Sequence, residues 1–283
     1  MIAFFGMGFL GSNFVRALRR RGEDVQVWNR THDRAAALES AGARAFRGAA
    51  DAARGASRVH LALSDDAVVD AVLEQARPGL SPSTTIIDHS TTSPPGAMAR
   101  VERWRERGIT FVHAPVFMTP ANALESTGIM LISGPRSVVD PLRPVLAPMT
   151  GRLLDLGERP DAASAFKLLG NLFMICMSGG LVDMLALAKA LRVPAAEAAA
   201  LFDHFNPGTL VPARVKRMVE ASYDTPSWDL AMARKDARLM QEAAAAAGVE
   251  LVALPGIAAR MDAELAAGNA DKDWTVIAQS ALR

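Results

Sequence analysis

Three glycines near the N-terminus, spaced as G-x-G-x-x-G, constrain the fold of this chain more than any other feature. Gly6, Gly8 and Gly11 follow a short apolar run over residues 2–5 and open a stretch of helical periodicity. A second apolar run, residues 25–28, comes next. Strand, glycine turn, helix and strand in this order predict the first unit of a parallel α/β sheet, with a dinucleotide bound at its turn.

Each glycine has its own physical reason in this interpretation. Gly6 permits a tight turn, Gly8 lets a pyrophosphate approach the backbone, and Gly11 allows the helix to pack closely on the strand. The N–H groups and the dipole at the start of the helix favour the phosphates. The alternative is a glycine-rich turn that binds nothing. The predicted cofactor contacts of the turn are Gly6, Met7, Gly8, Phe9, Leu10 and Gly11.

The end of the second predicted strand indicates which dinucleotide binds. An NAD enzyme usually has Asp or Glu there, about 20 residues after the glycines, to accept a hydrogen bond from the ribose 2′-hydroxyl. Here Asn29, Arg30 and Thr31 stand at the strand end, and Arg34 follows one helical turn later. These side chains can donate to a 2′-phosphate, whose oxygens a guanidinium matches well. We predict NADP(H); the alternative is that Arg30 and Arg34 are ordinary solvated charges.

The composition allows a large core and argues against several partners. The chain has 283 residues, half of them hydrophobic, and a net charge of +1, which suits two domains and gives no general attraction to nucleic acid. No uninterrupted apolar run reaches the roughly 18 residues of a membrane span, and because the first predicted strand begins at residue 2 we expect no signal peptide. The single cysteine, Cys176, is expected to pack in an apolar helix and fits a reducing cytoplasm.

The histidines predict no metal site. They are scattered along the sequence, and neither C-x-x-C nor H-E-x-x-H spacing occurs. They are His32, His60, His89, His113 and His204.

Helix and strand signals alternate up to about residue 158, which is typical of a doubly wound parallel sheet, the Rossmann fold. Further strands are predicted near residues 45–46, 59–63, 85–88, 109–113, 128–133 and 152–156. Helices are predicted near residues 32–41, 51–54, 65–75, 95–107 and 137–147. Loops 6–11, 63–66, 88–93 and 114–120 lie at carboxyl ends of strands and are expected to converge on one crevice.

Strand signals vanish after Asp161, and the second half is predicted to be all helix. Residues 162–190 form one long helix that is apolar on more than one face, so we expect it to be buried nearly all round, between the domains and in a homodimer contact. Further helices are predicted near residues 194–204, 210–221, 229–247 and 254–267. We therefore predict a dinucleotide-binding domain over residues 1–158 and an all-α domain for substrate binding and dimerisation over residues 159–283.

Two polar residues interrupt the apolar start of the long helix. Lys167 and Asn171 are four residues apart and therefore share one helix face. Apolar neighbours would desolvate the ammonium and lower its pKa toward the range useful for proton transfer. The alternative is a lysine whose head group reaches out to solvent.

Several motifs together resemble the β-hydroxyacid dehydrogenase family, which includes 3-hydroxyisobutyrate dehydrogenase and is related to 6-phosphogluconate dehydrogenase. They are Gly6-Met7-Gly8-Phe9-Leu10-Gly11, Asp88-His89-Ser90-Thr91-Thr92-Ser93-Pro94, Ala114-Pro115-Val116, Lys167-Leu168-Leu169-Gly170-Asn171 and Lys235-Asp236. The resemblance covers nearly the whole chain.

The resemblance implies an oxidoreductase that moves a hydride between the nicotinamide and a carbonyl carbon of a small-molecule substrate. Lys167 would be the general acid/base and Asn171 its partner at the substrate. The implied contacts elsewhere are Ser90 and Thr91 beside the nicotinamide, Leu63 and Ser64 in the cofactor crevice, and Lys235 reaching the cofactor from the second domain.

One segment departs from the family pattern. The family usually has Pro-Val-Ser-Gly-Gly where this chain continues from Val116 into Phe117, Met118 and Thr119. The small residues that approach a substrate carboxylate are replaced by bulky apolar ones, so a larger or less polar carbonyl compound becomes plausible beside a small hydroxy or oxo acid. We predict substrate contacts at these three positions, with Thr119 as a hydrogen-bond donor.

Two other functions fit parts of the sequence. Imine reductases are similar in fold and carry a Met-x-Thr-Pro-like segment at this place, but they generally lack the lysine. A protein that binds NADPH without turnover would also show an altered substrate loop, although Lys167 and Asn171 argue against it.

Overall fold

The computed structural model describes residues 1–282 and divides into two compact units, residues 1–171 and the residues from 172 onward. The division falls within the long helix. The predicted domain boundary near residue 158 stays a prediction.

The first unit contains a parallel sheet of six strands. They are β1 (Ile2–Phe5), β2 (Val25–Trp28), β3 (Arg44–Phe46), β4 (Arg58–Leu61), β5 (Thr85–Asp88) and β6 (Thr110–His113), in the order β3-β2-β1-β4-β5-β6. The order reverses between β1 and β4, where Phe5 lies opposite both Trp28 and Leu61. Ligands of such sheets bind at the carboxyl ends of the strands beside this reversal, and the predicted doubly wound fold is confirmed.

Helices cover both faces of this sheet. They are α1 (Phe9–Arg20), α2 (His32–Ala36), α3 (Ala49–Ala53), α4 (Asp66–Ala76), α5 (Pro94–Glu106), α6 (Pro120–Glu125) and α7 (Arg136–Leu146). Short 3₁₀ turns occur at Glu39–Ala41, Arg77–Gly79 and Ala147–Met149. Successive strand residues point to opposite faces: Phe4 packs with Phe14 and Leu18 in one core layer, whereas Phe5 packs with Trp104 in the other. Both layers are buried, which is why the strands read as continuous apolar runs.

The region after β6 differs from the prediction. Instead of a plain loop over residues 114–120, the chain forms the short strand β7 (Val116–Phe117), and helix α6 follows directly. Strand β7 pairs antiparallel with β8 (Ile129–Ile132), which pairs parallel with β9 (Arg152–Asp155), so these strands make a second, three-stranded sheet. A strand of two residues has no measurable periodicity, and its pairing is therefore a tertiary property.

The long helix α8 (Ala162–Ala190) is one unbroken helix of 29 residues, as predicted. The expectation that it is buried nearly all round is wrong for the single chain: Ile175 is 70% exposed, and Leu169 and Leu172 are exposed as well. Cys176 is also exposed rather than packed. By length and composition α8 could cross a membrane, whereas no membrane span was predicted from the sequence. A single helix of this kind is weak evidence for a membrane span.

The unit from residue 172 onward is helical. Its elements after α8 are α9 (Ala195–Ala200), α10 (Val211–Val219), α11 (Leu230–Ala246), α12 (Leu254–Ala266) and α13 (Gln279–Leu282), with 3₁₀ turns at Leu201–Asp203, Pro207–Leu210 and Trp274–Ala278. Asp183 of α8 accepts hydrogen bonds from the backbone N–H groups of Val252, Ala253 and Leu254 at 2.6, 2.9 and 2.7 Å. The first N–H groups of a helix have no acceptor of their own, so this carboxylate caps α12.

Candidate functional site

The glycine turn has the geometry that its spacing predicts. Gly6 has φ +95°, and a Cβ there would overlap the carbonyl oxygen of Ala62. A Cβ at Gly11 would overlap the carbonyl oxygen of Gly6 itself. These two positions therefore exclude any larger residue, because its Cβ would overlap the backbone whether or not a ligand is bound.

Gly8 is different, because its missing side chain leaves open space. A Cβ there would meet no atom within 4 Å, and Gly8 is the N-cap of α1 without any side-chain cap. The neighbouring Phe9 side chain is 86% exposed. Uncapped N–H groups at the start of a helix favour an anion, so the turn fits a dinucleotide pyrophosphate beside Gly8.

The end of β2 is tied to this turn. The Oδ1 of Asn29 accepts a hydrogen bond from the N–H of Met7 at 2.9 Å, and its Nδ2 donates to the carbonyl oxygen of Thr31 at 2.8 Å. Asn29, expected to donate to a 2′-phosphate, thus uses its carboxamide to hold the backbone of two loops. Arg30 and Arg34 are both exposed at the strand end. Their phosphate contacts stay predictions.

Ser90 joins the loops that follow β4 and β5. Its Oγ accepts from the N–H of Leu63 at 2.9 Å, its N–H donates to Asp88 Oδ1 at 2.9 Å, and its carbonyl oxygen accepts from His113 Nε2 at 2.8 Å. Ser90 is buried, whereas Thr91 beside it is exposed. The hydroxyl of Ser90 therefore positions the crevice wall, and Thr91 presents its side chain to the open side.

Asp88, which the sequence indicated only as part of a motif, and His113, for which no site role was predicted, are both buried at the ends of neighbouring strands. Burial raises the pKa of the Asp88 carboxyl and lowers the pKa of the His113 imidazole. Since a carbonyl oxygen can only accept, the His113 Nε2 that faces Ser90 carries the hydrogen. Polar residues that end two adjacent buried strands were the sequence signal for this pair.

Two of the scattered histidines also meet in the core. His89 Nδ1 faces the carbonyl oxygen of Ala114 at 2.7 Å, and His89 Nε2 faces His60 Nδ1 at 2.9 Å. The carbonyl requires a hydrogen on His89 Nδ1, so His89 Nε2 accepts and His60 donates. Burial lowers the pKa of His89 to about 4 and that of His60 well below its ordinary value. Within residues 1–282 no three metal-ligating side chains come together.

Lys167, the predicted general acid/base, lines a cavity of about 280 Å³ in the first unit. It is lined by Gly8, Phe9, Leu10, Gly11, Ala62, Leu63, His89, Ser90, Thr91, Val116, Met118 and Lys167. Lys167 is only 9% exposed, and its Nζ donates a hydrogen bond to Asn171 Oδ1 at 2.9 Å. Burial lowers the pKa of Lys167. The lysine thus faces the glycine turn across this cavity and does not extend into solvent.

The altered loop borders the same cavity in an unexpected way. Met118 lines it, whereas the ring of Phe117 covers the Lys167 ammonium, with 4.3 Å between Nζ and the ring centroid. Thr119 caps α6: its hydroxyl donates to Asn122 Oδ1 at 2.7 Å and accepts from the Asn122 N–H at 3.2 Å. The expected donor to substrate at Thr119 is therefore used within the chain.

Two remaining predicted contacts are occupied locally. Ser64 Oγ donates to Asp65 Oδ2 at 2.8 Å, next to the N-cap of α4. Lys235 lies in the second unit, where its Nζ is 2.8 Å from Asp236 Oδ1. The roles of both residues toward a cofactor stay predictions.

A Rossmann domain with an open glycine turn, and a buried lysine facing that turn, define a nicotinamide-dependent oxidoreductase. The model of the family described as the NAD binding domain of 6-phosphogluconate dehydrogenase matches residues 1–157, more than half of the chain. This protein belongs to the β-hydroxyacid dehydrogenase family.

Several named proteins are similar over much of the chain. A probable 3-hydroxyisobutyrate dehydrogenase of Mycobacterium tuberculosis is 27% identical over 286 residues, covering 98% of this chain and 96% of that protein. The 3-sulfolactaldehyde reductase of Escherichia coli is 28% identical over 68% of this chain and 65% of its own length. The structure of an imine reductase from Myxococcus stipitatus in complex with NADP⁺ has a TM-score of 0.92 at 19% identity, with 99% of each chain covered. The last likeness shows the fold alone.

Proposed function

We propose that this protein is an NADP(H)-dependent oxidoreductase that interconverts a carbonyl compound and its alcohol, with Lys167 as general acid/base. The observation that carries the proposal is the position of Lys167, buried and hydrogen-bonded to Asn171 in a cavity that the glycine turn also lines. The substrate is either a small hydroxy or oxo acid or a less polar carbonyl compound.

The chain's own residues supply positioning and the proton. The nicotinamide cofactor, when bound, supplies or accepts the hydride. In reduction the Nζ of Lys167 gives a proton to the substrate oxygen, and in oxidation it removes that proton. Asn171 holds the ammonium through its Oδ1 and leaves its Nδ2 for a substrate oxygen. Lys167 then regains its proton from water.

The preference for NADP(H) is part of the proposal. Arg30 follows β2 and Arg34 lies in α2, both are exposed, and residues 29–31 directly after β2 include no carboxylate. Replacing either arginine by Ala should raise the KM for NADPH and leave the KM for NADH nearly unchanged. Arg105→Ala, on the exposed surface of α5, serves as the charge-matched control. A wild-type enzyme that prefers NADH would overturn this part.

A panel of ketones, aldehydes, oxo acids and cyclic imines, each assayed with NADPH, tests the reaction. Turnover of carbonyl compounds by the wild type, lost in Lys167→Ala although NADPH still binds, is the expected result. Turnover of cyclic imines alone would favour the second candidate, an imine reductase, which the Met118-Thr119-Pro120 segment supports. Calorimetric binding of NADPH without turnover of any compound would favour a non-catalytic NADPH-binding protein.

We propose that a second copy of the chain covers the apolar surface of α8. The exposed apolar side chains of α8 include Phe166, Leu169, Leu172, Phe173, Met174, Ile175, Met177 and Val182. Large exposed apolar patches usually mark interaction sites. The family resemblance also implies a homodimer. Light scattering should give twice the mass of the chain, and Ile175→Asp should give monomer. Monomeric wild type that binds lipid vesicles would favour a membrane surface instead. We propose a cytoplasmic location for this dimer.

A further inference from the structure

Phe117 is seated against a glycine of the long helix. A Cβ at Gly170 would overlap the Cζ of the Phe117 ring and lie 2.7 Å from its Cε1. Any residue larger than glycine would therefore push the ring away. The same ring lies over the Lys167 ammonium, 4.3 Å from centroid to Nζ. Gly170 thus makes the room that brings Phe117 onto Lys167.

The ring and Asn171 satisfy the ammonium without a negative charge. The face of an aromatic ring is electron-rich and attracts a cation, and Asn171 Oδ1 accepts a hydrogen bond from Nζ. Burial is the cause that acts on the pKa of Lys167, and no carboxylate contributes. The same electron-rich face repels an anion.

Among the described residues that line the cavity, none besides Lys167 carries a positive charge. Lys167 is the cavity's one charged side chain within residues 1–171, and His89 is neutral because burial lowers its pKa to about 4. A carboxylate placed beside Phe117 would lose its water and gain no cationic partner except the lysine that the reaction uses. Burying an unpaired charge is costly.

We propose that Phe117, held in place by Gly170, determines the substrate class by occupying the space beside Lys167 that an anionic substrate group would need. The site then takes neutral carbonyl compounds, such as ketones, aldehydes and oxo esters, in preference to oxo acids. This inference rests on the proposed carbonyl chemistry of Lys167 and narrows its two substrate classes to one.

The test compares 4-oxopentanoate with its methyl ester, a pair that differs in charge and little in shape, under NADPH. The wild type should show a kcat/KM for the ester at least about tenfold above that for the acid, a difference of about 1.4 kcal/mol. Phe117→Ser should reduce this ratio at least about tenfold by making room for the carboxylate. Phe117→Leu, which keeps apolar bulk, should retain most of it.

Gly170→Ala changes the position of the ring without changing the ring. It should move the ester-to-acid ratio in the same direction as Phe117→Ser. Gly179→Ala is the matched control on the same helix, because a Cβ there meets only an ordinary contact at 3.7 Å with Ala253. That variant should keep the wild-type ratio. If Gly170→Ala does not fold, Phe117→Ser decides the question alone.

NADPH affinity is measured by calorimetry for every variant. It distinguishes a failure of this inference from a failure of the proposed function. A wild type that uses the acid as well as the ester, or a ratio that Phe117→Ser does not change, overturns this inference and leaves the carbonyl reduction intact. Absence of turnover with both compounds and with the wider carbonyl panel, despite tight NADPH binding, overturns the proposed function and this inference with it.

Discussion

The Nζ of Lys167 donates a hydrogen bond to the Oδ1 of Asn171, one helical turn further along α8, at a distance of 2.9 Å. The pair places a buried ammonium in the cavity of the glycine turn and fixes its direction. Because the acceptor is neutral, it orients the amine without tying up its charge in an ion pair. The pH dependence of the reaction follows from this arrangement.

Reduction should require Lys167 in its protonated form, so its rate should fall as the pH rises through the pKa of Lys167. Burial lowers that pKa, so the fall should come at a lower pH than the ordinary lysine pKa of about 10.4. Oxidation should show the opposite slope. Lys167→Ala should lower kcat about 10²–10⁴-fold with the Kd for NADPH nearly unchanged.

Substitutions of Asn171 should move this pH profile in opposite directions. Asn171→Ala removes an acceptor that favours the charged amine, so the midpoint should move to lower pH; Asn171→Asp adds an opposite charge, so it should move to higher pH. Steady-state rates from pH 6 to about 10 are the measurement. Identical midpoints in both variants would remove Asn171 from this role.

Substitutions of two glycines in the turn should have different effects, one on NADPH binding and the other on the stability of the fold. Gly8→Ala places its Cβ in open space, so the melting temperature should stay constant while the Kd for NADPH rises about tenfold, or about 1.4 kcal/mol. Gly11→Ala would overlap Gly6 and should lose about 1–3 kcal/mol of stability. The two effects are checked by calorimetry and by urea unfolding. A Gly8→Ala variant that binds NADPH like the wild type would contradict the pyrophosphate assignment.

The buried pair of His60 and His89 should make the fold sensitive to acid. The pKa of His89 is about 4 in the folded chain and about 6.5 when unfolded. Below pH 6.5 the unfolded chain therefore binds a proton that the folded chain does not, and stability is lost as the pH falls toward 4. At 1.36 kcal/mol per pKa unit, His89 contributes a loss of about 3 kcal/mol.

Urea unfolding at several pH values between 7.5 and 4.5 measures this loss. The pKa of His60 is lowered by burial and by His89, so His60→Phe should make the slope of stability against pH shallower. The exposed His204 gives the control variant His204→Phe, whose slope should match the wild type. Equal slopes in all three proteins would exclude His60 as a source of the acid sensitivity.

Asp183 should be a major contributor to the stability of the second unit. Its carboxylate accepts from three backbone N–H groups at the start of α12. Asp183→Ala leaves these partly buried donors without their acceptor and should cost about 1–3 kcal/mol in urea unfolding, whereas Asp183→Asn, which keeps one acceptor oxygen, should cost less. Asp203→Ala, at an exposed position, should change stability by less than about 0.5 kcal/mol. A loss no larger for Asp183→Ala than for Asp203→Ala would contradict the capping role.

Several elements could be predicted from the sequence because their causes are local. Strand β5 occupies residues 85–88 and α8 occupies residues 162–190, as predicted, since apolar periodicity and length are readable in one dimension. Helix α7 forms in spite of Pro141 and Pro144, which was also expected. Gly6 and Gly11 take the positions that their spacing indicates.

The exact use of the polar side chains could not be predicted. Thr119 caps α6 and Ser90 ties two loops together, although both were expected to face substrate or cofactor. A hydroxyl forms hydrogen bonds with whichever polar groups the fold brings near it. For Ser90 that group is the N–H of Leu63, which is distant in sequence. The meeting of His60 with His89 has the same origin, because it depends on the pairing of β4 with β5.

By itself, the sequence determined the order of helices and strands, the glycine turn and the lysine on the apolar helix, because each is a pattern within a short stretch of chain. Only the tertiary structure decided that Phe117 lies over Lys167 and against Gly170. These residues are some 50 positions apart in numbering, and close packing of a ring against a bare backbone is a relation between elements that no local pattern encodes.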